Sequence, residues 1–297
     1  MKLCRATLIA FLTLALATSS PAAPAAPAAP ANRVHGLWVW KGPAILHDQR
    51  DDEKLMAFCG AHGITEVYLA ISSHHVMMTD RRLIEVINRL HGANIRLETL
   101  LSSEDADEPG RHRDKLLSEV DMVVQFNRRT PGSHFDGIHL DIEPQQRAEN
   151  KGSGNLGFVA DLVETYREVR SRAEPAGLTV NADIQMKLLK GSAAERRALF
   201  GSLPRLTLMM YELSTADAKD EAARVTQVQA AGRKFLNLAY ADIDGAVAAR
   251  LAIGLRTPDY GDALPRMLDA LEVANATNPH FLGWAQHSYN DQLASSP

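Results

Sequence analysis

Residues 135–144 read Phe-Asp-Gly-Ile-His-Leu-Asp-Ile-Glu-Pro. In an extended strand successive side chains point to opposite faces, so His139, Asp141 and Glu143 share one face and Ile138, Leu140 and Ile142 the other. Two carboxyl groups at alternate positions are equipment for proton transfer. A carboxylic acid whose pKa is raised by a neighbouring carboxylate stays protonated near neutral pH and can protonate a leaving oxygen. The same three side chains offer nitrogen and oxygen donors to a metal ion, as in a metal-dependent hydrolase. Alternate strand positions are roughly 6–7 Å apart at Cα, however, a wide stride for ligands of one ion. A plain ion pair between His139 and Asp141 at a solvated surface is a third reading, and it leaves Glu143 without a reason to share that face.

What could hold such a strand follows from the alternation along the rest of the chain. Short apolar segments at 35–40, 66–72, 95–101, 135–143, 178–185, 206–212, 235–242 and 281–289 read as eight strands. Segments with helical periodicity at 52–62, 81–91, 113–127, 156–174 and 217–231 lie between them, and Gly63, Gly92, Gly177 and Gly232 punctuate helix ends. Eight strand–helix units predict a single-domain α/β fold, a (β/α)8 TIM barrel, over 34–297. Only eight residues follow Tyr289, so the eighth helix is expected to be short or missing. An open doubly wound sheet is the competing topology, but no glycine-rich dinucleotide fingerprint follows the first strand, and no P-loop is present.

In such barrels reactive groups collect at the C-terminal strand ends, and the apolar face of each strand meets the helices. His139, Asp141 and Glu143 therefore point into the barrel. Trp38 and Trp40 share one parity on the first strand, and each is either an aromatic face on which a sugar ring stacks or a ring packed under a helix. Glu98 on the third strand, and Asn181, Asp183 and Gln185 on the fifth, add polar groups of inward parity that could contact substrate.

The composition, 45% hydrophobic and 23% charged, is that of a soluble globular protein with ample material for a core. Lys2 and Arg5, an apolar run over 6–17 and small residues after it form the three regions of a secretory signal peptide, expected at 1–22. A Pro/Ala-rich linker occupies 23–33. The apolar run is too short to span a bilayer, and the mature protein is expected to be periplasmic or secreted with no integral span. Without Lys2 and Arg5, 30 basic residues face 36 acidic ones, which argues against nucleic acid as partner. Cys4 precedes the apolar run, so the mature chain keeps only Cys59 and no disulfide framework.

The strand at 135–143 resembles the fourth strand of the chitinase-like family 18 glycoside hydrolases, D-G-x-D-x-D-x-E. Asp136, Gly137, His139, Asp141 and Glu143 occupy those positions. Met209-Met210-Tyr211-Glu212 is similar to the family's M-x-Y-D/E on the sixth strand, and Gly283 opens an eighth strand that runs through His287 to Tyr289. The match is closer still to exported bacterial barrel proteins with a G-L-W-V-W first strand and an H-x-D-x-E-P fourth. The resemblance implies hydrolysis of an amino-sugar-containing polysaccharide without a cofactor, by substrate assistance. Glu143 would protonate the glycosidic oxygen, Asp141 would hold the 2-acetamido group, and Tyr211 would hydrogen-bond it. His287 and Tyr289 would line the sugar site, His287 standing about where the family has a tryptophan floor. His139 replaces an inner aspartate of the family, where it could orient Asp141; the change equally fits a substrate without an acetamido group, or a carbohydrate-binding barrel without catalysis.

Overall fold

A computed structural model describes residues 33–71, 73–150, 156–211, 220–243, 245 and 247–291. The expected signal peptide and nearly all of the expected linker lie outside the described residues, as does everything after Asp291, and with it the expectation of a short or missing eighth helix.

Eight parallel strands close into a barrel in sequence order: β1 (Val34–Val39), β2 (Glu66–Leu69), β3 (Arg96–Ser103), β4 (Gly137–Ile142), β5 (Thr179–Gln185), β6 (Arg205–Met209), β7 (Arg250–Arg256) and β8 (Phe281–His287). This is the TIM-barrel topology that the strand–helix alternation predicts. The helices Gln49–His62, Arg81–Gly92, Arg111–Arg129, Val159–Ala173, Ala193–Ser202, Glu221–Tyr240 and Leu264–Asn275 wrap it. Outward side chains such as Ile138, Leu140 and Ile142 of β4, Val180 and Ile184 of β5, and Leu251, Ile253 and Leu255 of β7 are buried in one cluster with the helix faces. Each fully buried aliphatic side chain contributes about 1.5–3 kcal/mol, so this outer layer carries most of the stability. Gly63 ends its helix as expected, in the left-handed conformation with its N–H bonded to the Cys59 carbonyl.

The seventh strand is not where its apolar run predicts. Residues 235–242 were expected as a strand, yet 235–240 continue the helix Glu221–Tyr240, and the strand is Arg250–Arg256. A short apolar run does not distinguish the two states by itself. Here Val228, Gly232, Leu236 and Ala239 recur at helical spacing and are the buried face. Gly232 is accordingly not a helix terminus. A Cβ there would stand 2.6 Å from Leu271 Cδ2, so the glycine allows this helix to lie close against Leu264–Asn275.

Inside the barrel the apolar material is sparse. Trp38, Tyr68, Leu100 and Ala285 form a separate small cluster, with Trp40 and Ala70 packed against it. Room for the Trp38 indole comes from Gly254 on β7, where a Cβ would be 2.8 Å from Trp38 Cη2. Most of the other large side chains inside are polar.

Candidate active site

The interior is organised by charge from the N-terminal end upward. Glu66, the first residue of β2, is paired with Arg96 at 3.1 Å and with Arg205. Arg205 also approaches Glu98 at 3.7 Å. The next layer up centres on His139, which the register of β4 places beside Leu100 of β3 and Asn181 of β5. Its Nδ1 lies 3.2 Å from Glu98 Oε2 and its Nε2 2.8 Å from Asp183 Oδ1. The ring stacks on Tyr68 at 3.7 Å between centroids and meets Trp38 edge-on. An imidazole facing a carboxylate at each nitrogen donates from both only as the cation. Burial would lower the His139 pKa, but the charge and hydrogen bond of Asp183, then those of Glu98, carry it up to about 10. For Glu98 burial pushes the other way, and the His139 hydrogen bond together with the Arg205 and His139 charges holds it at about 2. Asn181 Nδ2 adds a 2.5 Å bond to Glu98 Oε1.

Asp183 completes this layer by accepting from Trp38 Nε1 at 2.9 Å through its other oxygen. Trp38 is fully buried, so its indole braces Asp183 and presents no face to a sugar; the expectation of stacking on Trp38 is corrected. Glu98, also expected at the substrate, lies fully buried against His139 instead. His139 makes no hydrogen bond to Asp141, contrary to the expected orienting role, because both of its nitrogens are taken.

Above this layer come the two carboxyl groups of the motif. Asp141, 5% exposed, has one hydrogen-bond partner, Ser102 Oγ at 3.3 Å, and its Oδ1 is buried without a partner among the described residues. Burial, then the charges of Asp183 and Glu143, push its pKa well above the usual carboxylate range. Glu143 follows β4 directly and is half-buried. Its Oε1 accepts from Gln185 Nε2 at 2.5 Å and Gln145 Nε2 at 3.2 Å. Burial is again the largest reason its pKa is raised, with Asp183 the charge that adds to it and the glutamine amides opposing. Both carboxyl groups are thus driven toward the acid form, Asp141 the more strongly.

Beyond the end of β6, Tyr211 has a buried hydroxyl with no partner among the described residues. Its pKa is driven well above 10 by burial and by the carboxylates Asp183, Asp141 and Glu143, which fixes it as an O–H donor. Arg256 lies 5.7 Å over its ring. His287, at the end of β8, accepts from Trp40 Nε1 at 2.8 Å through Nε2, so its proton is on Nδ1. Its ring sits 5.4 to 5.9 Å from those of Tyr211, Trp38 and Trp40. Burial keeps it neutral by lowering its pKa. Tyr289 is not part of this group: it is buried against Phe58 of the helix Gln49–His62, centroids 5.3 Å apart.

Of the residues expected in the site, the structure thus gathers His139, Asp141, Glu143, Asp183, Gln185, Tyr211, Trp40 and His287 near one end of the barrel, sets Trp38 and Glu98 behind them as support, and sends Tyr289 elsewhere. Tyr68, Ser102 and Gln145 were missed. The period-two pattern through Glu66 would have placed Tyr68 inward, whereas Gln145 follows the strand and no spacing rule reaches it. A cavity of about 360 Å³ between β3 and the helix Arg111–Arg129 counts Ser102 among its lining residues. Among the described residues no group of three His, Cys, Asp or Glu side chains could hold a metal ion. The ring nitrogens of His139, which the metal reading requires, are both occupied by carboxylates.

The barrel is similar in fold to the PgaB (BpsB) glycoside hydrolase domain from Bordetella bronchiseptica, with 12% identity and a TM-score of 0.55 over 90% of this chain and 96% of that one. A GH18 chitinase from Pseudoalteromonas aurantia gives 11% identity and a TM-score of 0.55 over 89% and 96%. The exo-β-1,4-mannosidase Op5Man5 from an Opitutaceae bacterium, strain TAV5, gives 11% and 0.53 over 86% and 52%. At these identities the likeness is one of fold. No protein-family model matches the sequence, and no curated protein matches it.

Proposed function

We propose that the protein is an exported glycoside hydrolase acting on an amino-sugar-containing polysaccharide, with Glu143 as general acid and base. The observation that carries this reading is the pair at the end of β4: Glu143 is half-buried, positioned by two glutamine amides and raised in pKa, with Asp141 one stride deeper on the same face. With Gln185 and Gln145 both donating to Oε1, Glu143 is held in place to pass the proton of its acid form to a glycosidic leaving group. Tyr211 and Asp141 bring two buried polar atoms, unpartnered among the described residues, to the same region, which suits a polar sugar substituent such as a 2-acetamido group. Trp40 remains as the aromatic surface for a sugar ring. Two of the similar barrels are by name a glycoside hydrolase domain and a chitinase, consistent with this reading. Export rests on the sequence of residues 1–22.

The test is turnover of acetylated and deacetylated hexosamine polymers by the purified mature protein, alongside mannans as the non-amino control. Hydrolysis restricted to acetylated polymers is expected. Glu143→Gln keeps size and hydrogen-bonding reach but has no proton to give, and should lower kcat by about 100- to 10,000-fold with binding retained. Full activity in Glu143→Gln refutes the assignment, and binding without turnover in the wild type turns the reading to a carbohydrate-binding barrel.

A further inference from the structure

We propose that Asp183 of β5 is the positioning residue that keeps the proton on Asp141, so that Asp141 meets the bound sugar as a neutral hydroxyl donor through Oδ1. The first half of this statement concerns the protein alone; the role toward a sugar rests on the glycosidase reading.

The two aspartates are treated oppositely by the fold. Asp183 receives an N–H at each oxygen, from His139 Nε2 at 2.8 Å and Trp38 Nε1 at 2.9 Å. A proton on either oxygen would oppose one of those donors. The His139 cation is itself secured from behind by Glu98, which is tied to Arg205 and Asn181. Both Asp183 oxygens are thereby engaged as acceptors. Among the described residues Asp141 has the 3.3 Å contact with Ser102 and no partner on Oδ1, and it has almost no exposure to water. A buried carboxylate with one weak donor is far costlier than a buried carboxylic acid, so of the two groups Asp141 takes the proton. The groups facing Asp141 agree with this. His139 and Glu143 lie on its own strand, Ser102 on β3, Asp183 on β5 and Tyr211 beyond β6; of these only His139 is cationic, and its hydrogen bonds are spent on Glu98 and Asp183. Arg256 of β7 is turned to Asp259 and the Tyr211 ring. Tyr166, from the helix Val159–Ala173, is driven well above 10 by burial and then by Asp183 and Asp141, so it contributes no charge. At position 139 a cation stands where the family motif has an acid, and the second carboxyl group of the pair is supplied by the neighbouring strand.

The experiment is carboxyl-carbon NMR of the sugar-free protein with 13C-labelled aspartate, Asp141 being identified by the signal lost in Asp141→Asn. In the wild type the Asp141 carboxyl is expected to remain protonated through pH 7. In Asp183→Asn its ionisation should move down by about one pH unit or more, the effect of removing one close like charge. Trp38→Phe, which removes one donor from Asp183 and so lets it share the proton, should move it the same way by less. Glu98→Gln should lower the His139 transition with a smaller effect on Asp141 than Asp183→Asn has. An Asp141 carboxylate already ionised at pH 6 in the wild type overturns the proposal, as does an Asp141 transition unmoved in both Asp183→Asn and Trp38→Phe. Because no glycan is present, the glycosidase reading can fail on its own while this result stands. Where turnover is measured, the kcat/KM profile of Asp183→Asn should shift along pH with the Asp141 transition, and Asp183→Glu should restore part of it.

Discussion

A charged, buried His139 makes the stability of the fold fall as pH rises. Its pKa is about 10 in the fold against 6.5 for the free side chain. Below pH 6.5 folded and unfolded chains both carry the proton, and the stabilisation from Asp183 and Glu98 is complete. Between pH 6.5 and 10 only the folded chain holds it. Stability then falls as pH rises, by about 1.4 kcal/mol per pH unit, and the full loss is about 5 kcal/mol. His35, raised by Glu272 against the effect of burial, adds a slope of the same sign, and Cys59, whose thiol burial pushes up to about 12, adds one above pH 9. The difference between wild type and His139→Gln over pH 7 to 8.5 isolates the His139 contribution. Glutamine keeps a donor for one carboxylate but leaves two buried anions without their cation, so the variant should be less stable at pH 7 by about 3–5 kcal/mol. The assay is urea unfolding at fixed ionic strength across that window. The slope should be shallower in His139→Gln by about 1.4 kcal/mol per unit. Equal slopes in the two proteins would show that the histidine is neutral in the fold.

Gly254→Ala should force the Trp38 indole off its bond to Asp183 and cost about 1–3 kcal/mol, read as a lower denaturation midpoint together with a shift in tryptophan emission. Cys59, fully buried and with its thiol pushed up, should resist a thiol reagent at pH 8 until the protein is unfolded; rapid modification of the native chain would contradict its packing. Addition of a chelator should leave any glycan hydrolysis unchanged, since His139 has no free nitrogen lone pair to offer a metal. Loss of activity on chelation, restored by a divalent ion, would return the metal reading.

Strand β4 shows how far pattern alone reaches. Its period of two put Ile138, Leu140 and Ile142 against the helices and His139, Asp141 and Glu143 inside, because burial of the apolar face leaves no other arrangement in a barrel. The alternation of strands and helices specified the closed topology for a similar reason, each unit having one apolar face to cover. Where two states share the same apolar composition the pattern was insufficient: 235–240 are helical because their spacing matches the face packed on Leu264–Asn275, and the strand fell to Arg250–Arg256, whose Ala252 and Gly254 look weakly hydrophobic because they make space inside the barrel. Partners across the barrel were beyond sequence altogether. Which carboxylates flank His139 depends on the stagger of β3, β4 and β5, which brings Glu98 and Asp183 to its two nitrogens and denies it to Asp141. The charge state of each acid depends in turn on burial and on those partners, quantities set by the assembled interior, while residue type and order determined only which groups would be there to titrate.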